Sequence, residues 1–411
     1  MLRNLGSFAK KEYFVLFVVI SVNIALLVYL CSNLSISYDE AKVYFGGSSF
    51  LRSHGFLHEL TGLSVSVLGG ILGLDFALRA PFLCAHIINI YLFYLLSRNI
   101  LIGKTDSIIS AIIFMYLPGV LASAVLVNSA VFIIMLSLGM VLCIQKERNK
   151  TLIILLALSI FISNAFGALY LALFLYGLYI KRHSYSVIAG VFLLIWLFVF
   201  NFDISGKPRG YLLDSMAVYA AVFSPLVFIY FIYSFYRIWV KERKDFLWFV
   251  SAVAFCASLI ISVRTKAVLE AFLPFCVIFV PHMLRLFLVS LRVRLPQFRI
   301  KYKLLGSILA ISLAAQVLLG IFNAPLYLLF NNAQDHFIYD YDIAKELANR
   351  LKSLGVRQIF CSDKELRLRL RFYGIKSSFD ARLSEQKCSL DAQKIIIKKL
   401  NKKIVLFYLC K

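Results

Sequence analysis

The sequence predicts an all-α polytopic membrane protein with about eleven transmembrane helices and a small α/β domain at the C-terminal end. Three observations predict it. The 411 residues are 61% hydrophobic, whereas soluble domains are roughly 45–50% apolar. Only 16% are charged. The apolar residues fall into successive runs of bilayer-spanning length, which need roughly 17–25 mainly apolar residues each.

Taken in order, the runs lie near 13–32, 79–97, 106–124, 126–144, 151–164, 166–180, 185–202, 217–236, 246–263, 268–289 and 303–322. The first is too long for a cleavable leader and no small-residue cleavage site follows it. A further apolar stretch at 60–74, rich in Gly and Ser, reads either as another span or as an interfacial helix. Short loops set orientation. Lys10 and Lys11, Arg98 and Lys104, Lys146 to Lys150, Lys181 and Arg182, Arg237 to Lys244, and Arg292 to Lys303 all fall on one side if eleven spans alternate. The positive-inside rule makes that side cytoplasmic. The Asp39 loop, the loop around Lys207 and Arg209, the Arg264–Lys266 turn and the tail then face outward.

From about residue 331 the material changes. Residues 343–354 carry apolar side chains at helical spacing and stop at Gly355. Residues 356–361 read as a strand, 364–373 as a basic helix and 404–409 as a final strand. The domain division is therefore 1–330 for the membrane part, with a first outer loop at 33–78, and 331–411 for a small outward domain.

A net charge of +23 would suggest nucleic acid in a soluble protein. Here the excess lies in orienting loops, and no zinc-finger or RNA-binding signature is present, so no nucleic-acid partner is expected. Neither a GxxxxGK[ST] loop nor HExxH occurs, which leaves ATP-driven transport and zinc protease chemistry without support. The eight cysteines include no CxxC pair. Cys361, Cys388 and Cys410 are in the tail, where an oxidising face would let two of them pair.

Chemistry concentrates beside the first span. In Ser37-Tyr38-Asp39-Glu40 the S-x-x-E spacing is a capping box, and the same acidic pair supplies a general base or head-group ligand at the membrane surface. Arg79-Ala80-Pro81 reads as an anchor before a proline helix start. Arg264 and Lys266 are cations on the outward side, against the inside bias, and suit a lipid-linked phosphate through charge-assisted bonds. His54 and His58, four apart, with Glu59, are the one group that admits a divalent metal. Solvated loop residues are the plainer account of them, so no metal site is assigned and no cofactor is required.

The order of these elements resembles the C-type membrane glycosyltransferases, in particular glycosyltransferase family 39 with its protein O-mannosyltransferase and aminoarabinose-transferase branch. The matching features are Tyr38-Asp39-Glu40-Ala41 after the first helix, Gly73-Leu74-Asp75 through Arg79-Ala80-Pro81, Tyr94-Leu95-Leu96-Ser97-Arg98, and Arg264-Thr265-Lys266 through Leu273-Pro274. Residues 10–130 carry most of the likeness. It implies an inverting transfer of a hexosyl or pentosyl sugar from a polyprenyl-phosphate donor to a lipid, glycan or protein acceptor at the outer face of the inner (plasma) membrane, among membrane lipids. Asp39, with Glu40, maps to the catalytic base. Arg264, Lys266 and Arg79 map to the donor phosphate. His58, Glu59 and Asn128 are the candidate acceptor or sugar contacts. The sequence departs from the family where a second acidic residue is usual and Val127-Asn128-Ser129 stands, and where a lysine is usual and Ser163-Asn164-Ala165 stands. The rival reading is a lipid-linked sugar carrier or flippase, or a non-catalytic subunit of an envelope glycan assembly system. A transporter usually shows broken helices in two related halves, and no such symmetry is visible.

Overall fold

A computed structural model describes residues 2–46, 55–200, 210–264, 269–323, 325, 327, 336, 338–384, 393–399 and 402–410. α1 (Leu2–Asn33) carries the first apolar run, and α2 (Tyr38–Phe45) is the short helix of the acidic pair. α3 (Gly55–Leu72) and α4 (Leu74–Ile100) are separated by one residue, Gly73. Its φ of +86° is the left-handed conformation that ends one helix and lets the next begin at once. α5 (Lys104–Met115) and α6 (Pro118–Val125) are bent by 61° at a break before Pro118. α7 (Ala130–Gln145), α8 (Asn149–Ile162), α9 (Phe166–Tyr179) and α10 (His183–Val199) follow. α11 (Leu212–Phe223) and α12 (Pro225–Lys241) are bent by 104° at Ser224, whose φ is +75° and which precedes a proline at the helix start. α13 (Phe246–Arg264), α14 (Leu273–Val277), α15 (Val280–Val293) and α16 (Pro296–Ile321) complete the apolar part. The tail contains α17 (Tyr339–Ser353), β1 (Gln358–Cys361), α18 (Lys364–Phe372), β2 (Lys376–Ser384), β3 (Gln393–Lys399) and β4 (Lys402–Cys410).

Among the described residues each of the eleven expected runs is mainly helical, with breaks at 116–117, 224 and 278–279, and the stretch left open at 60–74 falls in α3 and the start of α4. Among the described residues six helices are long and apolar enough to cross a bilayer, or eight if each bent pair is one span. α7 to α10 are apolar but only 14–17 residues long. At about 1.5 Å per residue the shortest of them covers roughly 21 Å, less than a hydrocarbon core of roughly 30 Å.

By contacts the chain forms two units, Met1–Leu27 with Phe82–Val317 and Val28–Pro81 with Leu318–Lys411. The first unit is the helical bundle. Its centre is aromatic: Phe93 and Phe114 stack at 4.0 Å, and Tyr219, Phe223, Phe228, Phe231 and Phe255 form a contiguous buried cluster. Polar contacts join its basic loops. Asn99 donates to Gln145 at 2.9 Å, and Arg182 pairs with Glu147 at 2.7 Å. Arg292 reaches both carboxylate oxygens of Asp106 at 2.7 Å. Arg285 pairs with Glu242, and His282 with Asp245 at 2.9 Å. The basic loops after the second, fourth, sixth, eighth and tenth expected spans, which the charge pattern puts on one side, are therefore linked.

The second unit joins the segment around α2 and α3 to the tail. Its four described strands run in the order β1-β2-β4-β3. β1 and β2 are parallel, joined by the crossover helix α18, while β4 pairs antiparallel with both β2 and β3. α17 buries Ile343, Ala344, Leu347, Ala348 and Leu351 at helical spacing. It stops before Gly355, whose φ is +73°, as the sequence predicts. β1, α18 and β4 also lie where they are expected; β2 and β3 are additional. Cys410 is disulfide-bonded and Cys361 is buried. Cys388 lies outside the described residues.

Candidate functional site

The acidic pair is built from a helix cap. Ser37 Oγ accepts from the Glu40 amide at 3.2 Å, and Glu40 Oε2 accepts from the Ser37 amide at 2.9 Å. Both halves of the capping box are present, so the first turn of α2 has its amides satisfied. This geometry points the two carboxylates apart. Glu40 is buried, while the Asp39 side chain is 89% exposed and meets the Lys42 ammonium at 3.0 Å. Lys42 also lies 3.9 Å above the Tyr38 ring. The bond to Asp39 is the first cause raising the Lys42 pKa above its ordinary value.

Glu40 faces Arg79, which is fully buried. One Arg79 nitrogen, Nη2, donates to Glu40 Oε2 at 2.8 Å and to the Ser35 carbonyl at 3.0 Å. Nη1 donates to the carbonyls of Leu34 at 2.6 Å and Cys31 at 3.3 Å. The last carbonyls of α1 have no partner in their own helix, and a cation there also meets the negative end of the helix dipole. The planar fork of arginine serves several acceptors from one buried group. Two sequence expectations are corrected here. Arg79 is not an open phosphate ligand, because its guanidinium is enclosed and bound to the chain. Glu40 is not placed as a base, because its carboxylate holds the cap and Arg79.

A second cluster flanks the first. Asp75, one helical turn before Arg79, is buried. It accepts from the Tyr373 hydroxyl at 2.5 Å and pairs with Lys345 at 2.8 Å. Tyr373 in turn accepts from the Ile36 amide at 3.0 Å, and Lys345 donates to the Ser32 carbonyl at 2.7 Å. The Ser35 amide donates to the Tyr341 carbonyl at 2.9 Å. Burial, reinforced by Asp75, holds the Tyr373 pKa well above that of a free phenol. Tyr341 is pushed up to about 12, mainly by burial and then by Glu40.

Pro81 is also placed differently from the sequence expectation. α4 begins at Leu74, so the proline is inside the helix and not at its start. A proline there leaves the carbonyl four residues back without its amide donor. That carbonyl belongs to Ala77, and the Ser64 hydroxyl of α3 donates to it. The serine replaces the missing amide and fastens α3 to α4.

Of the remaining candidates, His58 is half-buried with Nδ1 3.1 Å from the Val43 carbonyl at the end of α2. Glu59 is exposed. Asn128 belongs to the first unit, where its side-chain oxygen accepts from the Ala130 amide at 3.1 Å and opens α7. Arg264 is the last residue of α13; Lys266 and His54 lie outside the described residues. No group of three or more His, Cys, Asp or Glu side chains among the described residues is arranged to hold a metal ion. The sequence reading missed Tyr373 and Lys345, because their partner Asp75 is about three hundred residues away and no local pattern links them. It did single out Asp75 within the resembling stretch, without a role.

The arrangement presents an accessible carboxylate, Asp39, on a helix whose start is fixed by a buried ion pair. Such a group can accept a proton from a hydroxyl brought to it. Comparison with known proteins agrees with the fold that the sequence resemblance implies. No protein-family model matches the chain. No curated protein matches it in sequence. Among solved structures it is similar to ArnT from Cupriavidus metallidurans in the apo state, with a TM-score of 0.52 at 13% identity, over 89% of this chain and 75% of that one. The chain therefore shares the fold of that structure.

Proposed function

We propose that this protein is an inverting glycosyltransferase that moves a hexosyl or pentosyl sugar from a polyprenyl-phosphate donor to a lipid, glycan or protein acceptor. The observation that carries this reading is Asp39, an exposed carboxylate on a capped helix, in a chain whose fold matches a membrane transferase. Asp39 deprotonates the acceptor hydroxyl as its oxygen attacks the anomeric carbon. The bond from that carbon to the donor phosphate oxygen breaks, and the polyprenyl phosphate leaves with the electron pair. Arg264 and Lys266 are assigned to the charge that develops on the leaving phosphate, where cations contribute most in the transition state. Glu40 and Arg79 are positioning residues: they fix the end of α1 and the start of α2. His58, Glu59 and Asn128 are assigned to sugar or acceptor contacts. No cofactor is invoked, and a divalent metal at His58 and Glu59 is tested by chelation.

The protein is assigned to the inner membrane with its basic loops inside and its tail outside. The disulfide at Cys410 supports the outward tail, because such bonds persist in oxidising compartments.

The test is transfer from a radiolabelled polyprenyl-phosphate sugar in isolated membranes. Asp39→Asn should lower turnover by roughly 10²–10⁴-fold, the usual worth of a general base. A carrier would leave the sugar on its lipid and tolerate the substitution, so near-normal function in Asp39→Asn argues for that alternative. Mass analysis of envelope glycans and glycoproteins from cells lacking the protein identifies the acceptor.

A further inference from the structure

We propose that α18 and the start of β2 form a binding cleft for a phosphate-bearing acceptor, next to Asp39. The proposal rests on the transferase reading and names the acceptor class. A cleft of about 500 Å³ opens in the second unit. Four cations line it, Lys364, Arg367, Arg371 and Lys376, together with the hydroxyl-bearing side chains of Tyr38 and Ser377. None of the described residues lining it is acidic. The volume lies within the roughly 300–1,000 Å³ of small-molecule sites, enough for a phosphorylated sugar and more than one phosphate fills.

The clustering is built by the fold. Lys364, Arg367 and Arg371 stand at i, i+3 and i+7 of α18, which puts them on one face. Leu366 and Leu370 occupy the buried side. Gly374, with φ of +83°, turns the chain so that β2 begins with Lys376 against the same cleft. The Arg371 guanidinium lies over the Phe45 ring of α2 at 4.5 Å. Like charges gathered in this way repel one another.

Four cations elsewhere in this unit have carboxylates: Arg79 has Glu40, Lys345 has Asp75, Arg350 has Glu346 and Lys42 has Asp39. None of the four cleft cations has an ion pair among the described residues. An anionic ligand relieves their repulsion and supplies the missing acceptors through charge-assisted bonds. Tyr38 in the wall directly precedes Asp39 in the chain. A phosphate held in the cleft thus puts the rest of its molecule beside α2, the helix of the proposed base, and because the donor phosphate is assigned to Arg264 and Lys266, the ligand is assigned to the acceptor.

The experiment measures binding to the full chain in detergent micelles by thermophoresis, with glucose 6-phosphate as probe and glucose as control. Glucose 6-phosphate should bind, glucose should not, and added salt should weaken binding. The Lys364→Gln/Arg367→Gln variant should bind about tenfold more weakly or worse, about 1.4 kcal/mol. Lys376→Gln, remote in sequence, repeats the test should that variant fail to fold, and Arg367→Lys should retain most binding. Equal binding of glucose, or unchanged affinity in both folded charge variants, overturns the proposal. Displacement of the probe by farnesyl phosphate assigns the cleft to the donor, and displacement by phosphatidylglycerol assigns it to membrane lipid; either result overturns it. Sugar transfer is read separately. Binding without transfer leaves the cleft assigned and removes the transferase reading, whereas transfer without binding does the reverse.

Discussion

Arg79→Met tests whether the buried guanidinium organises the base of α2. The side chain is 0% exposed and makes four hydrogen bonds, to Glu40 and to the carbonyls of Cys31, Leu34 and Ser35. Methionine fills part of the space and satisfies none of them. Removing one partner of a buried pair costs about 3–5 kcal/mol, because the other charge is left unpaired. A hydrogen bond to a charged group contributes about 1.5–3 kcal/mol. These losses share one group and do not add, so the expected cost is about 4–6 kcal/mol, or roughly 10³–10⁴ in the ratio of folded to unfolded protein. Arg79→Lys keeps the charge but not the fork, and should recover less than half of the loss. Adding Glu40→Gln to Arg79→Met removes the stranded carboxylate, so the double variant should be more stable than the sum of the singles by about 1–3 kcal/mol. Unfolding in mixed micelles with rising SDS, followed by circular dichroism, measures all four corners of the cycle. Parent-like stability in Arg79→Met with selective loss of donor use would refute the anchor and return Arg79 to the phosphate.

Asp39→Asn should leave stability within about 1 kcal/mol of the parent while abolishing transfer, because an exposed pair with Lys42 contributes little; a large stability loss would mean that the carboxylate is structural. Ser64→Ala should cost about 1–3 kcal/mol by stranding the Ala77 carbonyl beside Pro81, and Ser64→Ala combined with Pro81→Ala should recover much of it, since the alanine amide restores the helical donor. Tyr341 and Tyr373 have folded pKa values raised above the ordinary 10. Their neutral forms are favoured in the folded state, so their contribution is complete below pH 10 and is lost as pH rises above it, through about 12 for Tyr341. A melting series across this range should show a shallower alkaline decline in Tyr373→Phe, and an unchanged slope would remove the buried phenol as the cause.

What the sequence made legible was local. Ser37 and Glu40 are three apart, and that spacing is the capping box seen in the structure. Gly355 marks the end of α17, and the apolar runs are helices because few other structures satisfy backbone groups in lipid. The charge alternation grouped loops that the structure joins through Asn99 and Gln145, Arg182 and Glu147, and Arg292 and Asp106. What was not legible required partners distant in sequence. Arg79 looked like a free cation because the carbonyls it serves belong to a helix end more than forty residues earlier. Pro81 looked like a helix start because proline is common there, and only Ser64 of the neighbouring helix makes an interior position tolerable. The basic character of 364–371 was visible, but its convergence with Lys376 depends on the turn at Gly374. The division into 1–330 and 331–411 followed composition, whereas contacts group 28–81 with the tail.

The pairing of Asp75 with Tyr373 also sets a timetable for biogenesis. The two residues are 298 positions apart. At about 5–20 residues per second, translation needs roughly 15–60 s to supply the tyrosine after the aspartate has entered the membrane region. During that interval Asp75 and the end of α1 must wait without the groups that later cover them. A ribosome stalled anywhere before the tail, or a nonsense codon there, leaves the Asp75 carboxylate without its tyrosine and lysine partners. Such fragments should be substrates for membrane quality-control proteases even when every apolar helix has been inserted.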